Sequence, residues 1–129
     1  MRLEIQNKAA KDNPSEQQLR RAILSLRSYG TSSFASLTDD HGSYLQVAGG
    51  GITCLLERRD AFTGVHYRAY QEKKNTNYPD GTLLVFGAGE VALLSDEWFS
   101  NTIVADVFAA FLLTHALPEN VHWRVARGI

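Results

Sequence analysis

Residues 43–72 of the chain are SYLQVAGGGITCLLERRDAFTGVHYRAYQE, and this stretch indicates the fold. It holds three short runs rich in Val, Leu and Tyr, separated by turn residues such as Gly49 to Gly51. In the third run, Val65, Tyr67 and Ala69 alternate with polar side chains, which is the period of a strand with one packed and one solvated face. Such runs and turns are typical of antiparallel strands. The stretch predicts a meander with strands near 43–48, 52–59 and 64–72, and its polar face is available to a partner.

The same pattern continues on both sides of this stretch. It predicts further strands near 33–38, 82–87 and 90–94, a short strand over 2–7, and a closing strand in which Val121, Trp123 and Val125 alternate with polar residues. The sequence 87–89, Gly-Ala-Gly, is expected to form a turn from strand to strand.

Two segments have the period of helices. Asn13 and Pro14 favour an N-cap and a first helical position, and an apolar stripe then predicts a helix over 14–28. Ser95 followed by two acids predicts the start of a second helix that extends to His115. The expected fold class is α+β: a mainly antiparallel sheet of about six strands packed against two helices, in a single domain over residues 1–129.

Composition narrows the class of protein. The chain has 129 residues, of which 44% are hydrophobic and 21% charged, so a disordered tail or a fibrous repeat is excluded. The formal net charge of −1 argues against a dedicated nucleic-acid binder. With one cysteine, no signal peptide and no apolar run long enough to span a membrane, the expected compartment is the cytoplasm.

The distribution of charge is uneven. Residues 75–122 contain six acids and no Lys or Arg, which suggests an anionic patch, although each acid alone is typical of a solvated cap or turn.

Residues that would carry catalysis are not evident. The four histidines at positions 41, 66, 115 and 122 are scattered and lack the spacing of a zinc site. Cys54 lies in an apolar run where a buried thiol is expected. The sequence therefore predicts no metal and no cofactor, and it favours binding over turnover.

Several pieces together resemble a known family. The segments in question are Tyr44 to Gly50, the Gly-Ala-Gly-Glu hairpin at 87–90, the apolar run Val107 to Leu112, and Pro118-Glu119-Asn120-Val121-His122-Trp123. They resemble the first-numbered family of immunity proteins from bacterial polymorphic toxin systems, over roughly residues 40 to 126. The most specific piece is Pro-x-x-Val-x-Trp after the helix.

The resemblance implies a cytoplasmic α+β protein that is not an enzyme. Such a protein binds the C-terminal toxin domain of a secreted or contact-delivered protein, expected at 1:1, and blocks it. The toxins faced by this family include nucleases and nucleic-acid deaminases, and neither direct nucleic-acid binding nor a membrane is implied. Gly49, Gly50, Pro118 and Trp123 would belong to the scaffold.

Candidate toxin-binding residues are acids and one aromatic on expected turns, strand ends or the polar sheet face. They are Asp39, Asp40, Glu57, Tyr70, Glu72, Asp80 and Glu90, with Trp98 as a lesser candidate. Two rival classes stay open. One is a small enzyme or ligand-binding domain with a pocket between sheet and helix, using His66, Tyr70 and Glu72. The other is an assembly subunit or secretion chaperone with a larger exposed apolar patch.

Overall fold

The structure is a computed structural model that describes residues 1–126. Its elements follow the chain as β1 (Arg2–Ile5), β2 (Lys11–Asp12), α1 (Glu16–Leu24), β3 (Phe34–Thr38), β4 (Tyr44–Gly50), β5 (Thr53–Arg59), β6 (His66–Tyr70), β7 (Thr82–Phe86), β8 (Gly89–Leu93), α2 (Asn101–Thr114) and β9 (His122–Val125). The α+β class, with two helices on a mainly antiparallel sheet, is confirmed within the described residues.

The main sheet has seven strands in the order β2-β1-β3-β4-β5-β6-β9, and every described pairing is antiparallel. Hairpin β7–β8 forms a separate two-stranded sheet instead of extending the meander. The two-residue strand β2 was not expected. It pairs with β1 at the edge of the sheet, where Arg2 lies opposite Asp12.

Both helices pack on one face of the main sheet. Their apolar residues, including Leu19, Ile23, Val107 and Phe108, form the main core with inward side chains of the central strands. This face is apolar because strand residues alternate: Leu45, Val47 and Leu56 point toward the helices. Neither helix has both the length and the apolar character needed to cross a membrane.

Helix α1 begins later than the Asn13-Pro14 pattern predicts. Ser15 is the N-cap, and its side chain and that of Gln18 bond each other's backbone in a capping box. Asn13 has a positive φ of 51°, so it lies in the turn before the helix. The helix ends at Leu24, short of the expected Ser28.

Helix α2 begins at Asn101, with Ser100 as its N-cap, and the predicted start at Ser95 is wrong. Residues 95–96 instead form a turn, closed by the Glu97 N–H donating to the Leu94 carbonyl at 3.0 Å, and Phe99 then exchanges two backbone hydrogen bonds of 2.9 Å with Cys54. At its other end α2 stops at His115, whose φ of 60° is left-handed.

Candidate functional site

The face of the main sheet opposite the helices is the candidate functional surface. Hairpin β7–β8 folds over one end of this face, where Leu84 and Leu93 pack on Leu55 and Trp98 in a second, smaller apolar cluster. The remaining part of the face is partly accessible and polar. We call this accessible remainder the open face.

A row of polar residues crosses the open face. Strand register places six residues side by side on six neighbouring strands: Glu4, Ser36, Gln46, Glu57, Arg68 and Arg124. Direct neighbours on one face of an antiparallel sheet lie within side-chain reach. The row therefore runs from an exposed glutamate on β1 to an arginine on the edge strand β9.

Ion pairs fix the β5–β6 part of this row. The Arg68 guanidinium lies 3.0 Å from Glu57 Oε2 and 3.5 Å from Glu97 Oε1. The Gln46 amide donates to Glu57 Oε1 at 3.0 Å, and the Leu94 N–H donates to Glu97 Oε1 at 2.7 Å. Side chains of Glu57 and Glu97 are only 8% and 4% exposed, so these charges are held in a poorly hydrated place.

Arg124 extends the pairs to the edge of the sheet. Its Nη2 lies 2.6 Å from Asp96 Oδ2, and its Nη1 lies 3.8 Å from Glu97 Oε2. The guanidinium carbon also sits 4.0 Å from the centre of the Tyr70 ring, a cation–π contact. We call Glu57, Arg68, Asp96, Glu97 and Arg124 the charge network; it joins β5, β6 and β9 to the segment that follows the hairpin.

A groove of about 400 Å³ lies between the open face and the tip of the hairpin. Phe34 and Phe86 meet edge to face on its apolar side, with ring centres 6.2 Å apart. Its polar lining comes from Gln6 and from Glu4, Ser36, Gln46 and Glu57 of the polar row. The charged residues of this lining are thus both glutamates.

The hairpin wall of the groove is tied to the main sheet. The Gly87 N–H donates to Ser33 Oγ at 2.7 Å, and Ser33 in turn donates both its N–H and its hydroxyl to Gln6 Oε1 at 2.8 Å. Ser33 is fully buried, so these bonds are shielded from water. The groove is therefore preformed.

A second row lies beside the polar row, toward the β3–β4 turn. There the Tyr44 hydroxyl and His66 Nε2 are 2.9 Å apart, flanking Arg59 on the strand between them. At the edge of the sheet His122 lies 3.3 Å from the Glu72 carboxylate, and its ring is 5.4 Å from that of Tyr70.

The sequence-predicted binding residues fall into three places. Asp39 and Asp40 lie in the β3–β4 turn, where Asp39 Oδ1 accepts the N–H groups of His41 and Ser43 at 2.9 and 3.0 Å. Tyr70 and Glu72 lie at the edge of the sheet near β9, whereas Asp80 and Glu90 are exposed on the hairpin and the loop before it.

Two candidates are largely buried in the free protein. Glu57 lies on the polar face as expected but is 6% exposed, because Gln46 and Arg68 cover its carboxylate. Trp98 is 4% exposed and stacks near Tyr78, with ring centres 4.5 Å apart. Trp98 belongs to the smaller apolar cluster, and its role in a contact surface stays a prediction.

The expected anionic patch is smaller than the sequence indicates. Asp96 and Glu97 are taken up by the charge network, and Asp106 pairs with Arg20 at 2.7 Å. Asp80 is exposed; the backbone hydrogen bond that it accepts from the Ser95 N–H lowers the pKa of its carboxyl. Glu90 and Glu119 are exposed and make no ion pair with the described residues.

The side chains of the rival enzyme hypothesis are not assembled into one group. His66 contacts Tyr44, whereas Glu72 contacts His122. The groove lies on the sheet face away from the helices, and a smaller pocket of about 180 Å³ between the sheet and the end of α2 is not lined by any of the three side chains of that hypothesis. Cys54 is buried as predicted, and burial raises the pKa of its thiol to about 12. Within residues 1–126 no group of three or more His, Cys, Asp or Glu has the geometry to hold a metal ion.

Sequence reasoning missed most of the contacts of the charge network and both phenylalanines, Phe34 and Phe86, that form the aromatic wall of the groove. One sequence feature could have pointed to Arg68, which is its position on the polar side of an alternating strand. Arg124 and its partner Asp96 are 28 positions apart, and the sequence alone holds no sign of their contact.

No protein-family model matches the chain, and a search of curated proteins finds no significant match either. The resemblance to immunity proteins therefore stays a prediction from the motifs quoted above.

Proposed function

We propose that this protein is an immunity protein that binds the C-terminal toxin domain of a secreted or contact-delivered protein and blocks it. The protein would act in the cytoplasm as a 1:1 inhibitor, without turnover, cofactor, membrane or direct nucleic-acid contact. The observation that carries the proposal is the open face: a polar, partly accessible sheet surface with a preformed groove where it meets the tip of the hairpin.

Rigidity of the open face favours tight binding to a protein. Association costs free energy when side chains must be ordered, so a surface fixed beforehand loses less. The charge network holds the β5–β6–β9 side of the face, and the Ser33–Gly87 bond holds the hairpin side. A standard interface covers roughly 800 Å² on each partner. The described residues expose 7123 Å², so about a ninth of that surface would suffice.

The charges of the groove fit a toxin that acts on nucleic acid. Proteins that bind phosphate backbones present Lys and Arg, and the charged lining of the groove is two glutamates. Opposite potentials speed encounter and fix orientation. Covering the basic cleft of such a toxin would exclude its substrate, which is the inhibition expected of an immunity protein.

The proposal is tested by recovering the tagged protein from its own cells at native expression and identifying co-purifying chains by mass spectrometry after a high-salt wash. We expect a stoichiometric C-terminal fragment of a large secreted protein, and the fragment should be toxic when expressed alone. Absence of any such fragment, together with unchanged sensitivity to kin cells after deletion of the gene, would overturn the proposal.

A pair of matched variants tests whether the open face is the surface that contacts the toxin. Gln46→Lys adds a cation to the centre of the open face, whereas Gln17→Lys makes the same change on the exposed side of α1. We expect Gln46→Lys to weaken toxin binding by about tenfold or more, since like charges across an interface are repulsive. Gln17→Lys should bind as the unchanged protein does, and melting curves of both variants check that they fold.

A ligand-binding domain is the second candidate, and the groove volume favours it. About 400 Å³ lies within the range of small-molecule sites, which is roughly 300 to 1,000 Å³. This class of function predicts a rise in melting temperature with a small molecule and no protein captured from the cells.

A further inference from the structure

We propose that the groove on the open face binds the guanidinium group of an arginine side chain supplied by the toxin domain. This inference rests on the proposed function and names the chemistry that the groove would recognise. It is argued from the polar lining of the groove, its charges and its aromatic wall.

The polar lining offers acceptors to a group that only donates. Guanidinium has five N–H donors and no acceptor, whereas carboxylate and amide oxygens each accept two hydrogen bonds. Each Glu57 oxygen already accepts one bond, from Gln46 or Arg68, and so each keeps a second lone pair. Ser36, Gln46 and Glu4 place further oxygens in the lining.

The charge of the lining selects a cation. Glu4 and Glu57 are its charged residues, and Glu4 is exposed on β1, where Arg2 Nε is 3.2 Å from its Oε1. Each carboxylate is already shared with one arginine of the chain, Glu57 with Arg68 at 3.0 Å and Glu4 with Arg2 at 3.2 Å, and no charged residue of the lining is a cation that could hold an anionic group. A cation instead gains attraction from both.

The aromatic wall favours arginine over lysine. Phe34 and Phe86 form an apolar side next to the carboxylates. A guanidinium is planar and weakly hydrated, so it stacks on aromatic rings while its edge donates to carboxylates; an ammonium holds its water more strongly. The groove combines these two kinds of surface, as a site for a buried arginine requires.

The direct test needs only the purified protein and N-acetyl-arginine methylamide, a model of an arginine residue in a chain. Titration followed by amide NMR should give saturable shifts at Ser36, Gln46 and Ala88, with a Kd of about 1 to 10 mM, as expected for a fragment of this size. The corresponding lysine compound should bind several-fold more weakly, and the glutamate compound should give no saturable shift. Failure of the arginine compound to saturate these signals would overturn the inference, as would equal binding of all three compounds.

Opposite charges at one exposed position sharpen the test. Ala88 lies in the β7–β8 turn, is exposed and lines the groove, so it tolerates new side chains. Ala88→Lys should weaken binding of the arginine compound by about 2- to 5-fold, and Ala88→Glu should strengthen it by a similar factor, as for an exposed charge pair. Ala116→Lys, beyond α2, serves as the control and should leave the affinity unchanged. Equal affinities for the two Ala88 variants would contradict an electrostatic site.

The two proposals fail in different ways. If a toxin co-purifies but the arginine compound does not bind, the function stands and the groove assignment falls. If the compound binds in the groove but no protein partner exists, the groove assignment stands as a cation site and the immunity function falls.

Discussion

At the scale of single residues, Cys54 shows how burial controls chemistry. Its side chain is 1% exposed, and burial raises the pKa of the thiol to about 12, from an ordinary value of 9.0. A thiol with that pKa is thiolate at about one part in ten thousand at pH 8, and only the thiolate reacts with disulfide reagents.

We therefore expect the folded protein to react with a coloured disulfide reagent at pH 8 far more slowly than the urea-unfolded chain. Because the folded pKa is raised, Cys54 contributes stability that is complete below pH 9.0 and lost as the pH rises toward 12. Rapid labelling of the native protein at pH 8 would show that the thiol is accessible and contradict this account.

At the same scale, Arg68 and Arg20 allow buried ion pairs to be compared with exposed ones. The Arg68 side chain is 16% exposed between two buried carboxylates, whereas Arg20 pairs with Glu16 and Asp106 at 37% exposure. Removing one member of a buried pair leaves the other charge without compensation.

Arg68→Met should lower the free energy of unfolding by about 3–5 kcal/mol, as for other broken buried pairs. Arg20→Met should cost less than about 1 kcal/mol because water screens exposed pairs. Urea unfolding curves measure both. Similar costs for the two variants would mean that water reaches the charge network, and the argument that this network makes the open face rigid would lose its basis.

At the scale of elements, the sequence predicted the strands whose side chains alternate with a regular period. It did not predict features that depend on contacts between residues far apart in the chain. The alternation of Val65, Tyr67 and Ala69 correctly indicated a strand, because local geometry alone produces a period of two. Ser95-Asp96-Glu97 has the composition of a helix start, yet its acids lie against Arg68 and Arg124. Asp and Glu occur both at helix starts and in ion pairs, so composition alone could not show which role Asp96 and Glu97 have.

The sequence also could not show that hairpin β7–β8 forms a sheet of its own and does not join the main sheet. Leu83 and Val85 are 49% and 41% exposed on the outer side of β7, whereas Leu84 between them is buried. Since both faces of this strand are apolar, the pattern indicates a strand but does not show which face packs. The fold-back of the hairpin creates the groove, and so the site was less predictable than the fold.

The close contact between β4 and the segment that follows α1 leads to a prediction about glycine substitutions. A Cβ at Gly50 would collide with the backbone of Leu26 and Arg27, just after α1. Gly51, one position later, has open space around it and a φ of +62°, which asparagine tolerates.

Gly50→Ala should therefore cost about 1–3 kcal/mol of stability, because backbone has little freedom to move aside. Gly51→Asn should cost less than about 1 kcal/mol. Midpoints of thermal unfolding, with circular dichroism to check helix content, compare the two. A Gly50→Ala protein as stable as the Gly51→Asn protein would show that the segment after α1, at Leu26 and Arg27, is not packed directly on this strand.

At the scale of the whole molecule, the two apolar clusters differ in size and in what they hold. The main core joins both helices to the central strands, whereas the smaller cluster holds hairpin β7–β8 over one end of the sheet. The hairpin pairs with no strand of the main sheet in the described residues. Few shared contacts favour local opening at a lower free energy than global unfolding.

The variants Leu84→Ala and Leu45→Ala test whether hairpin β7–β8 opens separately or only when the whole molecule unfolds. Both leucines are buried, at 3% and 1% exposure, and each truncation costs about 2–5 kcal/mol in a packed site. We expect Leu84→Ala to speed hydrogen exchange in β7 and β8 while the amides of β4 keep most of their protection. Leu45→Ala, in the main core, should lower protection throughout.

If both variants lowered protection uniformly, the molecule would unfold as one unit and the hairpin wall would not move independently. With a separately opening hairpin, the smaller apolar cluster and the Ser33–Gly87 bond together keep the groove formed. A partner that fills the groove must then slow exchange in β7 and β8 beyond the protection of the free protein, since binding stabilises only the closed form. Measuring exchange with and without the partner thus tests the placement of the site and the mobility of its wall together.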